Sequence, residues 1–377
     1  MTSSKKDPIL VILQLTGGND YFNTLIPYND PLYYDNRKMV GIKQEEMIPL
    51  DDNYAFNPSM APLKELWDMG KVALMNGVGF ADSPRSHFRA MDIWHTSEPD
   101  KVATEGWLGH ATQEIDPNKE NVLTSVNFGN GLPRALAKPG VSVASVSDLA
   151  TYGILTGLEA DQRAVALERF ERMYAPAMGS GYVMDYLSQT GLDALKGADI
   201  LRTAPDKYQS NVEYSGSPIA RKMRDIAQVH LAGFGTRIFY TQHASFDTHA
   251  TQLGAHAQLW TDVSAAVRDF YADLAEHDAS DNVMVFMFSE FGRRVKDNGS
   301  GSDHGAGGLA MAIGDPVVAG YHSEYPSRKP EDLQFGDLVP NHDFRGLYST
   351  ILEDWLGIDA KPIVGGTFEK LDFIKKS

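Results

Sequence analysis

The chain has 377 residues and no cysteine. Disulfides, iron–sulfur clusters and thiolate zinc are therefore excluded. The redox compartment stays open, because a cysteine-free protein tolerates either side of a membrane. Positive charge is also scarce: 34 Lys and Arg stand against 50 Asp and Glu, a formal charge of −16. That balance argues against nucleic acid or an anionic membrane as partner, since both favour positive surfaces. A small anionic substrate is still allowed, because a bound metal reverses the local sign. No apolar run reaches transmembrane length, so no integral membrane segment is expected. The opening MTSSKKDPILVILQLTGG carries only a short apolar run, interrupted by Gln14. It reads as a tail before a first strand rather than as a signal peptide. Neither GxGxxG nor GxxxxGKS/T occurs, which removes the main support for a dinucleotide or P-loop site. There is no GxSxG, so an esterase elbow is unsupported.

What is present is an alternation of strands and helices. Ile9 to Leu15 is a nearly continuous apolar run rich in β-branched residues, the pattern of a strand buried on both faces. Asn57-Pro58 opens a predicted helix through Trp67, and Val72 to Met75 reads as the next strand. Asp82 and Ser83 are candidate caps of a further helix, with Pro84 near its first position. Helices are also expected at 164–174, 181–195 and 217–234. Thr236 to Thr241 reads as a strand, followed by a long helix from Gly254 to Glu276 with apolar residues at helical spacing. Asn282 to Ser289 is the strongest strand signal, Leu309 to Ile313 a shorter one, and Phe344 to Leu356 a terminal helix. Strand, helix, strand in this order predicts an α/β fold with a mostly parallel central sheet flanked by helices. One domain over 1–377 is expected, with a largely helical insertion at about 150–235.

The chemistry-bearing residues lie at predicted strand ends. Asp247 and His249 occupy a polar loop after one strand, at a spacing that lets both side chains aim at one centre. The bland alternative is an Asx turn at Asp247. Asp303 and His304 sit in a glycine-rich loop tied at both ends to strands, where backbone can approach a ligand closely. Imidazole with carboxylate suits zinc or manganese; magnesium or calcium would follow if carboxylates dominate. Glu290 ends a buried strand, a costly place for a carboxylate unless it is paired or metal-bound. Arg293 and Arg294 compete for it, and Arg293 is also a candidate to face an anionic substrate. Asp20 ends the first strand after TGGN, which resembles an anion-binding nest. His243 ranks as an accessory residue, and His256, one turn inside a helix, as a packing residue. Ser86 is the best nucleophile candidate, in a first helical turn where donors favour an anion. A first-turn cap role for its hydroxyl is equally open. Adjacent helical side chains point in different directions, so His87 is not expected to serve as its base. Arg85 and Arg89 contact an anion or solvate the helix.

Several motifs together resemble a known family. They are LTGGND ending at Asp20, APLKELWDMGKVALMNGVGF, RSHFRAMDIWHT at 85–96, GWLGH at 106–110, SFDTHATQ, FSEFGRR, GSDHG and DFRGLYSTILEDWLG. With them the chain resembles the bacterial domain-of-unknown-function family numbered 1501, over nearly its whole length except much of 150–215. Members of that family often carry twin-arginine export leaders, which implies an exported or periplasmic protein; the chain as given would otherwise be cytoplasmic. The family pattern has a histidine before proline near residue 58, where Asn57 stands here, so that histidine's role does not carry over. The family is in turn similar to the alkaline-phosphatase-like superfamily, including sulfatases and cofactor-independent phosphoglycerate mutases.

The resemblance implies a divalent-metal centre at the C-terminal edge of the sheet. It implies Asp247, His249 and His304 as holders of the main metal, with Asp303 as ligand or supporting carboxylate. Asp20 and Glu290 would serve a second cation, Ser86 would be the nucleophile, and Arg293 or Arg85 would bind an oxygen of the anion. Glu290 is followed by Phe291 where those enzymes place a histidine, so the second metal site is expected to be altered. The reaction implied is hydrolysis of a small phosphate or sulfate ester, with a carbohydrate-linked substrate included. The alternatives are a non-catalytic metal- or glycan-binding protein on the same scaffold, and a phosphotransferase or phosphomutase.

Overall fold

The computed structural model describes residues 6–149, 151–152, 162, 165–166, 168–169, 172, 193 and 196–376. The helices expected at 164–174 and 181–195 fall largely outside these residues, as does much of the expected insertion. Nine of the described strands form one sheet. In spatial order they are β11 (Gly320–Tyr321), β5 (Val72–Gly79), β10 (Gly308–Ile313), β9 (Val283–Phe288), β1 (Ile9–Leu15), β8 (Ile238–His243), β6 (Ser125–Phe128) and β7 (Ala144–Val146), with β12 (His342–Asp343) also on β5. Three short strands, β2 (Leu25–Ile26), β3 (Ile48–Pro49) and β4 (Ala55–Phe56), pair separately.

The central strand β1 lies between β8 and β9, parallel to both. This explains its unbroken apolar run: every residue from Ile9 to Leu15 is buried. Val11 and Leu13 join one core, with Leu63, Ile226, Val263 and Val267. Those residues come from α2 (Ala61–Asp68), α5 (Pro218–Leu231) and α6 (Gln252–Glu276), after the short α1 (Pro31–Asn36). Leu10 and Ile12 join the other core, with Ile93, Trp94, Trp107 and Leu347. Here the helices are α3 (His87–Thr96), α4 (Trp107–Ile115) and α7 (Phe344–Thr350). The fold is thus the expected mostly parallel sheet with helices on both faces.

One strand departs from parallel. β10 runs antiparallel to both of its neighbours, β5 and β9. The C-terminal ends of β1, β5, β8 and β9 therefore share an edge with the N-terminal end of β10. The start of α3 also differs from expectation. Ser86 is the N-cap and His87 the first helical residue, because Asp82 takes a left-handed conformation (φ 59°) and Ser86 is still extended.

Candidate metal centre

The loops after β1, β5 and β8 and the loop joining β9 to β10 converge at this edge, and their close approach needs glycine. A Cβ on Gly17 (φ 125°) would collide with the backbone of Phe246 and Asp247, and one on Gly301 with that of Thr248 and His249. Arg293 clamps the same loops from within. Its guanidinium donates to the carbonyls of Gly18 (2.7 Å), Ser302 (2.8 Å), Phe246 (3.0 Å) and Gly17, and to Asp247 Oδ1 at 2.7 Å. The side chain is fully buried and all its nitrogens are engaged. Arg293, expected to face an anionic substrate, is thus engaged by protein groups in this structure.

Above this clamp, four side chains point their acceptor atoms at one another. Asp247 Oδ1 lies 3.0 Å from His249 Nε2 and 3.1 Å from His304 Nε2. The two Nε2 atoms are 2.9 Å apart. His87 completes the group from the opposite side, with Nε2 3.5 Å from Asp247 Oδ2. His87, Asp247 and His304 each present an atom within 4.8 Å of the other two.

The far side of each ring fixes its tautomer. His304 Nδ1 is 2.8 Å from the carbonyl of Arg85, which can only accept, so this nitrogen donates. His249 Nδ1 donates to Asp303 Oδ1 at 3.2 Å, an oxygen that also accepts from the Asn298 amide. His87 Nδ1 donates to Glu290 Oε1 at 2.8 Å, which also accepts the backbone N–H of Gly17. All three Nε2 atoms are then bare lone pairs aimed at a carboxylate. His87 Nε2 is buried and has no hydrogen-bond partner. Like-signed atoms gathered in this way repel unless a cation or an added proton lies among them.

The donor set fits a divalent metal. Tetrahedral zinc with ligand bonds of about 2.0–2.1 Å separates its ligands by about 3.3 Å; Asp247, His249 and His304 present atoms 2.9–3.1 Å apart, and His87 reaches Asp247 at 3.5 Å within a group spanning up to 4.8 Å. Each histidine is backed by an oxygen acceptor, the arrangement that orients metal-bound imidazoles. Burial opposes the charge on Asp247, but the hydrogen bond and positive charge of Arg293 hold its carboxyl down at about 2. The hydrogen bond to Glu290 pushes the His87 imidazole above its ordinary range, against the opposing effect of burial.

The remaining expected residues stand elsewhere. Asp20 is fully buried and bound by Arg37, with Nη1 2.5 Å from Oδ2 and Nη2 3.0 Å from Oδ1. It also accepts from Gln252 and from Phe22 N. Asp20, expected to serve a second cation, thus has protein donors on both carboxylate oxygens. Glu290 contacts His87 and the backbone N–H of Gly17, and Asp303 contacts His249, the supporting place also expected for it. Arg85 directs its guanidinium to Asp337 (2.7 Å) and acts at the centre through its carbonyl. Ser86 is exposed, between Arg85 and His87, and makes no side-chain cap hydrogen bond. His256 is buried against Asn19 and Trp260, and Arg89 donates to the carbonyls of Glu98 and Pro99. The residue that sequence reasoning missed is His87. The signal was Glu290 itself: a buried strand-end carboxylate with no histidine beside it needs a ring from elsewhere.

Among curated proteins, none matches this chain. Among solved structures, it is similar to a lipoteichoic acid synthase from Listeria monocytogenes (TM-score 0.43, 10% identity, covering 98% of this chain and 76% of that one). It is also similar to a sulfatase from Pseudoalteromonas sp. (TM-score 0.44, 13% identity, 97% and 71% covered). A third is the phosphonate monoester hydrolase of Agrobacterium radiobacter (TM-score 0.42, 8% identity, 96% and 78% covered). Likenesses of this degree assign no activity. The sequence profile of the family described as "Protein of unknown function (DUF1501)" matches residues 82–367, a span that holds His87, Asp247, His249 and His304, and the chain belongs to that family.

Proposed function

We propose that this protein is a metal-dependent hydrolase of phosphate or sulfate esters. One divalent cation, zinc before manganese, would be held by His87, Asp247 and His304 with His249. The observation that carries the reading is the set of three imidazoles whose Nδ1 atoms are all committed as donors, leaving bare Nε2 atoms around Asp247. When bound, such a cation polarises an ester oxygen and offsets the negative charge of the anion. Arg293 would keep Asp247 ionised and the three loops in register. Glu290, Asp303 and the Arg85 carbonyl would hold the rings. Ser86 is the residue proposed to attack phosphorus or sulfur, from an exposed N-cap where backbone donors face the entering group.

A second reading has its own support. Asp20, Glu290 and Asp303 are each engaged by another side chain. No free carboxylate is left among the expected residues to take a proton from Ser86, which favours a metal-binding protein without turnover. Metal analysis of protein purified without chelator or metal-affinity resin, followed by assay with aryl phosphate and aryl sulfate, separates the two. The hydrolase reading expects about one metal per chain and turnover, with turnover abolished by Ser86→Ala at unchanged metal content. Metal without turnover selects the second reading, and absence of metal refutes both.

A further inference from the structure

The loops that carry Asp247, His249, Asp303 and His304 are also held from the helix side, by one amide. Gln252 is the first residue of α6 and is fully buried. Its Oε1 accepts the Ser302 hydroxyl at 2.6 Å and the Thr248 hydroxyl at 3.2 Å. Its Nε2 donates to Asp20 Oδ2. Thr248 stands between Asp247 and His249, and Ser302 directly precedes Asp303 and His304. Both Thr248 and Ser302 are buried. One side chain therefore joins both loops. Its contacts do not duplicate those of Arg293, which takes the carbonyls of Phe246 and Ser302 rather than hydroxyls.

The amide fits only one way round. The Asp20 carboxyl is held below the usual range by the Arg37 charge and its hydrogen bonds, against burial. A carboxylate only accepts, so the NH2 group must face it. Oε1 is then turned to the loops, where two hydroxyls donate to its two lone pairs. Nε2 needs only an acceptor at Asp20, which an asparagine oxygen would also supply; the charge of Asp20 serves Arg37.

The backbone is strained where it delivers this residue. Thr251, the N-cap of α6, is left-handed (φ 51°) and makes no side-chain cap hydrogen bond. A β-branched residue at positive φ is an outlier, and such conformations persist where the surroundings over-determine them. Here Ser300 does so: its hydroxyl accepts the Thr251 N–H and its carbonyl accepts the Gln252 N–H, both at 3.0 Å. The start of the helix is thus pinned to the loop that leads to His304.

We infer that Gln252 is a positioning residue of the metal centre, setting through Thr248 and Ser302 the separation of Asp247 and His249 from His304. The inference rests on the metal-binding part of the proposed function, and adds to it a residue that touches neither ion nor substrate.

The test measures zinc affinity by competition with a chelating dye, and the visible absorption of the cobalt(II)-loaded protein, which reports ligand geometry. Gln252→Leu should weaken zinc binding about 10–100-fold, the range for lost supports of metal ligands, and shift the cobalt spectrum. Ser302→Ala should weaken binding about threefold or more, the scale of one hydrogen bond. The double variant should lose little beyond Gln252→Leu alone, because both changes remove one shared interaction. Leu347→Ala, in the opposite core, lowers stability by leaving a cavity and should keep both readouts at wild-type values. Should Gln252→Leu fail to fold, Ser302→Ala combined with Thr248→Val carries the test, with the same spectral shift expected. Wild-type affinity and spectrum in Gln252→Leu or in that combined variant, losses that simply multiply in the double variant, or equal losses in Leu347→Ala would overturn the inference. A wild type that binds no zinc would overturn the metal-binding reading together with it.

Discussion

Replacing Asp20 by asparagine tests what the end of the first strand does. In the structure this carboxylate is sealed from solvent and accepts from both terminal nitrogens of Arg37, from Gln252 and from Phe22 N. Burial alone would push its carboxyl up; the Arg37 charge, His256 and the hydrogen bonds outweigh burial and hold it below the usual carboxylate range. The substituted amide would turn an NH2 group toward Arg37 and leave the guanidinium without its counter-charge. Breaking a buried ion pair from one side costs about 3–5 kcal/mol. A chain of 377 residues unfolds with an entropy of about 0.8 kcal/mol/K near 60 °C, so the melting temperature should fall by about 4–6 °C. Arg37→Met should cost at least as much, because the carbonyls of Arg294 and Val295 would also lose their donor. Metal content measured on the same preparations should match wild type in both variants. An Asp20→Asn protein that keeps its melting temperature but loses metal would refute this reasoning and make Asp20 a ligand.

Three further outcomes follow from the same contacts. Glu290→Gln and Asp303→Asn should each weaken metal affinity about 10–100-fold without removing the ligands, measured by competition with a chelating dye. Arg293→Met should destabilise the fold by at least about 3 kcal/mol in denaturant titration, since it strips a buried donor from four carbonyls and Asp247; an unchanged midpoint would show that the loops do not depend on it. Acid should unfold the protein through two buried neutral histidines, His95, which burial lowers to about 3, and His256, lowered by burial to about 4. Their unfolded values lie near 6.5, so the unfolded chain takes up these protons first as pH falls. Stability is complete above about pH 6.5 and lost below it, with a slope approaching about 2.7 kcal/mol per pH unit between pH 6 and 4. His95→Gln with His256→Gln should flatten that slope.

Much of the fold was legible because burial leaves a mark on composition. The run from Ile9 to Leu15 had no polar face to show, and it lies in the middle of the sheet between two parallel neighbours. The loops carrying Asp247, His249, Asp303 and His304 were legible because glycine and polar residues interrupt strong apolar runs. Their division of labour was not. Asp303 and His304 are neighbours, yet one supports His249 while the other turns its bare nitrogen to Asp247. Arg293 and Arg294 look interchangeable in the sequence. The bridge between Arg293 and His304 fixes which of the two turns inward, since side chains alternate along an extended segment. His87 escaped notice because its decisive partner, Glu290, is 203 residues away. Adjacency on the helix bears only on its relation to Ser86. Likewise nothing near Asp20 announces that Arg37 will curl back to meet it.

The Arg293 clamp has a consequence for when a metal enters. Its guanidinium gathers the turns after β1 and β8 and the stretch before β10 using only protein groups. The loops carrying the proposed ligands are therefore shaped by the chain itself, and little ordering would be left for an ion to drive. Metal should then load into an already folded protein and leave it again without unfolding it, so that chelation and re-addition at neutral pH act as a reversible switch. Proteins whose fold depends on their ion behave in the opposite way. Here the order of events would be folding first and metal second, which makes the identity of the ion a matter of where the finished protein resides.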